Sequence, residues 1–150
     1  MFEIKYKFAD DQIKIDKNVD EMTLRYELFP GSLTLEKEDK RIEMDWEWIP
    51  LLDFALCLGN ICDRLGKQTK GEDIFEFTES DATITFRRED NVCTIDASFS
   101  DVSFAMDFVE FQNSVKIFSE KIITDILANN KKLKNNSIFK KVVCNGILSI

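Results

Sequence analysis

The sequence predicts an α+β fold: a mostly antiparallel sheet of about six to eight strands, a long helix in the C-terminal half, and a shorter central helix packed on it. Three observations carry this. Residues 2–8 and 42–48 alternate apolar and polar side chains, the period of a strand with one buried face. Residues 50–65 and 107–128 repeat apolar side chains every three to four positions, the period of a helix with one buried stripe. The clusters "KEDK", "ESD" and "EDN" are turn-like and short enough to join antiparallel neighbours.

In the first third, Phe2, Ile4, Tyr6 and Phe8 alternate with Glu3, Lys5 and Lys7. Ile13 and Ile15 suggest a short second piece. Met22, Leu24, Tyr26 and Leu28 alternate with Thr23, Arg25 and Glu27, which predicts a further strand. Pro30-Gly31 reads as a turn. Leu33 and Leu35 follow, then "KEDK", then "RIEMDWEWIP" at 41–50. Here Ile42, Met44, Trp46 and Trp48 form an apolar face, and Glu43, Asp45 and Glu47 form a row of carboxylates on the other. If Leu35 faces Ile42 across "KEDK", then Glu36 faces Arg41, Thr34 faces Glu43 and Ser32 faces Asp45. In that register no cation stands directly opposite the acidic row.

Pro50 suits the start of a helix, where its missing N–H costs nothing. Leu51, Phe54, Ala55, Leu58, Ile61, Cys62 and Leu65 make the buried stripe; Leu52, Leu56 and Cys57 widen it, so this helix is expected to be covered on more than one side. Gly66 fits the stop. Strands are then expected over 74–78, 82–88 and 92–99, with a short one over 102–106. Asp107 and Glu110 have the spacing of a capping box ahead of the long helix. Its stripe is Phe108, Phe111, Val115, Phe118, Ile122 and Ile126.

A chain of 150 residues suits a single domain over 1–150. Residues 130–150 are polar and basic, then apolar, and read as a loosely docked tail. Ile138, Phe139, Val142 and Val143 suit one short docking helix, and "GILSI" a last strand.

Formal net charge is −8. Residues 131–150 carry five lysines and no acid, which leaves −13 on residues 1–130. So acidic a body repels phosphate backbones, which argues against general nucleic-acid binding, and it favours a basic partner. "MFEIKYKFADD" is an alternating strand and not a basic region followed by an apolar run, and no apolar run is long enough to span a bilayer. A cytoplasmic location without membrane attachment is the expectation. Cys57, Cys62, Cys93 and Cys144 form no C-x-x-C pair and sit among apolar neighbours, so they read as reduced core residues.

The sequence contains no histidine. That removes the usual base near neutral pH, the Ser-His-Asp and Cys-His arrangements and the commonest metal ligand. No phosphate-binding loop, dinucleotide fingerprint or calcium loop occurs among its five glycines, so no cofactor is expected. The remaining enzymatic idea is carboxylate chemistry or a metal at Glu43, Asp45 and Glu47. Same-face residues on a strand lie roughly 6.5–7 Å apart, a spacing that spreads metal ligands rather than converging them. The plain alternative is a solvated face, since two such charges repel by only about 0.6 kcal/mol in water. The third reading is a docking stripe for a basic protein. Trp46 and Trp48 read as core, with an aromatic ligand platform as the alternative. Arg87-Arg88 read as a surface ion-pair cluster.

A small, acidic, histidine-free α+β chain without a catalytic motif resembles the immunity proteins that neutralise bacterial polymorphic and contact-dependent toxins. The resemblance covers the whole chain in size, charge and element order, and "RIEMDWEWIPLLDF" is the stretch nearest a signature. It implies a non-enzymatic cytoplasmic protein that binds a cognate toxin, often one with a basic, nucleic-acid-cleaving surface. A small carboxylate-based or metal-dependent hydrolase, and an adaptor subunit of an oligomer, remain the alternatives.

Overall fold

A computed structural model describes residues 1–9, 15 and 18–146, with side chains through Cys144. The α+β class holds, but seven strands divide into two antiparallel sheets rather than one. The first sheet has the order β1 (Glu3–Phe8), β2 (Pro30–Lys37), β3 (Lys40–Pro50). The second is a meander of β4 (Lys70–Glu76), β5 (Thr83–Glu89), β6 (Val92–Ala97) and β7 (Ser103–Asp107). Helix α1 spans Glu21–Tyr26, α2 Leu51–Gly66, α3 Phe108–Asn129 and α4 Ser137–Gly146.

The split follows from the join between β3 and α2. Pro50 ends the strand and caps the helix with no loop between them, and the Leu51 N–H donates to Phe29 O at 2.9 Å. Sixteen helical residues then carry the chain about 24 Å before β4 begins. By then the nearest partner for β4 is the next strand, and tight turns close a separate ladder. Alternation tells which face of a strand is buried; it does not tell which edges meet.

Helices α2 and α3 pack on each other and both touch strands. Eleven of the sixteen α2 residues are buried, as its wide apolar surface predicts. Phe54 is fully buried, its ring 4.9 Å from Phe75 and 5.9 Å from Phe118, so it ties α2 to β4 and α3 at once. Burial of one such ring stabilises by about 3 kcal/mol.

Three local expectations are corrected. Residues 22–28 are not a strand: α1 occupies 21–26, and Asp20 caps it by accepting the Thr23 N–H at 2.8 Å. Only Leu24 in it is buried; Met22 is 66% exposed, so the two-residue alternation was coincidental. Pro30-Gly31 is not a turn but the start of β2, where Gly31 sits between Phe8 and Ile49. Asp107 stands at the N-cap of α3 but makes no side-chain cap bond. Ile15 packs on the core and Ile13 lies outside the described residues, as does most of "GILSI".

Glu110 does not close the expected box. Its carboxylate reaches out of the helix to accept Lys37 Nζ at 2.5 Å and the Phe2 N–H at 2.9 Å, pinning α3 to β1 and β2. The Lys37 hydrogen bond, then that of Phe2, holds the Glu110 carboxyl below its ordinary 4.5. A depressed folded value means the pair's stabilisation is complete above pH 4.5 and is lost as pH falls through the lower value. Glu110→Gln should therefore flatten this acid limb when denaturation midpoints are compared from neutral to acidic pH; an unchanged limb would place the acid sensitivity elsewhere.

In the described part of the tail the expected short helix docks. Helix α4 forms over 137–146, and Phe139, Val142 and Val143 are buried against the core. Cys57 is half-buried, Cys62 and Cys93 are buried, and Cys144 is exposed, so only the first three fit the core reading; all four are free. No described helix is long and apolar enough to cross a membrane.

Candidate functional site

The stretch 41–50 forms β3, an edge of the first sheet. The hairpin joins it to β2 through Glu38-Asp39, with Glu38 at φ 58°. Positive φ is what a two-residue loop between twisted strands requires. The register is the expected one at first: Leu35 faces Ile42, Glu36 faces Arg41 and Thr34 faces Glu43. It then breaks. Leu33 faces Met44 and Gly31 faces Ile49, so one residue of β2, Ser32, lies opposite four of β3. The expected pairing of Ser32 with Asp45 is absent. Instead the Ser32 hydroxyl accepts the Glu47 N–H at 3.1 Å.

The bulge changes what the acidic row is. Glu47 sits at φ 65°, in the left-handed region, which costs a non-glycine residue about 1 kcal/mol. Such strain persists only where the surroundings impose it. Glu43, Asp45 and Glu47 are all exposed but do not form one uniform row. Glu43 has a cation after all: Arg41 lies 3.2 Å away, and Arg41 also reaches Glu36 at 3.1 Å. Across β2, Lys5 stands in the same rung as Thr34 and Glu43. No ion pair or side-chain hydrogen bond holds the carboxylates of Asp45 and Glu47 among the described residues.

Between the basic edge of β1 and the acidic edge of β3 runs an open trough of about 260 Å³. Lys5, Lys7, Ser32, Thr34, Glu43 and Asp45 line it. The short hydroxyl side chains of β2 form its floor. Tyr6, also at the trough, donates its hydroxyl to Asp125 on α3. Burial, then the Asp125 hydrogen bond and charge, pushes its phenol well above the ordinary range, so it stays protonated and holds β1 in place. Among the described residues no three carboxylate or thiol groups are placed to hold a metal ion.

Trp46 and Trp48 are half-buried rather than core. They stack on each other, centroids 5.3 Å apart and planes 12° from parallel. Beneath them lies Phe77, 5.2 Å from Trp46 and 6.0 Å from Trp48, and beside Trp46 lies Phe99 at 5.0 Å, 38% exposed. Phe77 and Phe99 follow β4 and β6, so this corner bridges the two sheets. Sequence reasoning named Trp46 and Trp48 and missed both phenylalanines, because alternation within a strand carries no information about a contact between sheets.

Arg87 and Arg88 are not one cluster. Arg87 bridges Glu72 and Asp96, each at 2.7 Å, on the outer face of the second sheet. Arg88 lies over the Phe108 ring at 4.0 Å and donates to Leu65 O at 2.8 Å and Asp90 O at 2.8 Å, which closes the end of α2. Both are engaged in structure. No family model, curated protein or solved structure matches the chain.

Proposed function

We propose that the protein is a non-enzymatic protein-binding protein that docks a basic partner through Asp45 and Glu47, with Glu43 at the trailing edge of the surface. An immunity protein neutralising a cognate bacterial toxin in the cytoplasm is the form of this reading that the size, charge and histidine-free composition favour. The observation that carries it is that Asp45 and Glu47 are exposed and hold no ion pair among the described residues, on the bulged edge strand that also bears the half-buried tryptophan pair, with backbone strained at Glu47. Unpaired exposed charge speeds encounter with a partner of opposite sign, and half-buried aromatic side chains are the residues that most often anchor such complexes. Unpaired carboxylates have no internal cation to give up, so neutralisation by a partner costs only their hydration.

The test is paired affinity capture. Wild-type protein and Asp45→Lys/Glu47→Lys serve as baits in extract from the source organism. Both positions are exposed, so the variant should keep its melting temperature. The expected result is a basic protein retained by the wild type and lost from the variant. Identical captured sets would refute this surface as the docking site.

A further inference from the structure

The trough beside the bulge holds two charges that the fold leaves unused. Four charged residues line it: Lys5 and Lys7 on β1, Glu43 and Asp45 on β3. Lys5 is engaged, 3.3 Å from Glu36 and 3.9 Å from Glu3, and Arg41 engages Glu43 at 3.2 Å. Lys7 and Asp45 are exposed. Among the described residues neither makes an ion pair or a side-chain hydrogen bond, with the other or with any third group. Strand β2 keeps them apart: Lys7 faces Ser32 in its rung, and the bulge removes Asp45 from that rung. Two strand spacings of about 4.8 Å separate β1 from β3, so side chains standing off the sheet hold the two charges roughly 10 Å apart. The floor between them is polar. Ser32 is 9% exposed, and its oxygen accepts the Glu47 N–H, which leaves its own proton to donate. The Thr34 hydroxyl, also on the floor, bonds no described group.

We propose that this trough binds a small zwitterion, about one to two amino-acid residues long, with its carboxylate on Lys7 and its ammonium on Asp45. The proposal goes beyond the docking of a basic partner and does not depend on it. The length follows from the span. A charge-assisted hydrogen bond takes up about 2.8 Å at each end. Roughly 4 Å then remains between the ligand's own charged groups, within reach of one to two residues at about 3.4 Å each. The charge pattern selects the same class. A purely anionic ligand is repelled by a protein of net charge −8, and a purely cationic one by the lysine wall. A zwitterion is neutral as a whole and satisfies both walls. Lys5 and Glu43 are already neutralised by their own partners, so they do not compete for its ends. The Ser32 and Thr34 hydroxyls lie between the walls, where an oxygen of the ligand would meet them.

The experiment titrates the whole, isotopically labelled protein with diglycine at low salt and follows backbone amide NMR shifts. Two blocked probes serve as comparisons: acetyl-diglycine, which lacks the ammonium, and diglycine amide, which lacks the carboxylate. The expected result is a saturable shift at Lys7, Ser32, Thr34 and Asp45 with diglycine, and binding at least about threefold weaker for each blocked probe. Two variants assign the ends. Lys7→Gln should bind diglycine and diglycine amide alike, because the residue that reads the carboxylate is gone. Asp45→Asn should bind diglycine and acetyl-diglycine alike. Both positions are exposed, and unchanged shifts elsewhere verify that each variant keeps the fold. No saturable shift at the trough, blocked probes that bind as well as diglycine, or variants that discriminate as the wild type does would each overturn the proposal. The docking reading is tested apart from this, by the Asp45→Lys/Glu47→Lys bait, and neither outcome decides the other.

Discussion

Gly31→Ala is expected to destabilise the protein by about 3 kcal/mol. A Cβ at this position would lie 2.2 Å from the Lys7 carbonyl oxygen and 2.6 Å from Leu51 Cδ1. The first neighbour is backbone in the β1–β2 ladder, and the second is buried at the start of α2, so neither yields cheaply. Overpacking of this kind costs roughly 1–3 kcal/mol, with the upper end expected where backbone must shift. The glycine is required by close approach of three elements, not by a turn. Gly66→Ala is the matched control: there an added Cβ meets only Gln112 at 3.7 Å, ordinary contact, and the helix gains up to about 1 kcal/mol. Urea denaturation of the two variants should move in opposite directions. A Gly31→Ala midpoint equal to wild type would show that β1 and α2 are less tightly joined than described.

Arg25→Ala should cost about as much, for a different reason. Arg25 on α1 donates from Nε and NH2 to Asp53 Oδ1 at 2.9 and 2.7 Å. Asp53 lies in the first turn of α2, its side chain 7% exposed. Removing the arginine leaves a carboxylate largely out of water with no cation, only the weak Cys57 thiol donor 3.7 Å away and the Tyr26 hydroxyl beside it. Breaking a buried pair from one side costs roughly 3–5 kcal/mol, less here because Arg25 remains 25% exposed. The double variant Arg25→Met/Asp53→Leu should recover most of the loss, since the pair's net worth is far below the cost of orphaning one member. A double variant no more stable than Arg25→Ala would mean that packing of the arginine stem, not the stranded charge, sets the cost.

These two positions also mark where the sequence was and was not legible. Three strands of the second sheet and both long helices follow from apolar periodicity, because each presents one buried face to a common core; β4 begins at Lys70 rather than at 74, since its first four residues carry no apolar side chain to alternate. The Leu35–Ile42 register follows from the two-residue loop, which leaves little choice once both apolar faces must point inward. Helix α1 was hidden, since six residues of which one is buried leave no helical period to detect. Its only signal was local, Asp20 placed to cap Thr23. Gly31 was misread because glycine marks both turns and close approaches, and only the third dimension separates them. Arg25 read as the wet face of a strand, with no hint of Asp53 across the fold.

The site was half legible. The alternation of 42–48 identified the exposed carboxylates and the aromatic pair. It could not reveal the bulge, because Glu47 takes a left-handed conformation without the glycine or asparagine that would announce it. That bulge separates Glu43, which has Arg41, from Asp45 and Glu47, which have no ion-pair partner among the described residues.

The most direct measurement is the association rate constant for the partner captured by the wild-type bait, followed by stopped flow as salt rises to about 0.3 M. Docking through the acidic surface requires a rate that falls with salt and drops by at least about tenfold in Asp45→Lys/Glu47→Lys, with the salt dependence reduced in the variant. An association rate indifferent to salt, or the same for both proteins, would contradict docking at Asp45 and Glu47.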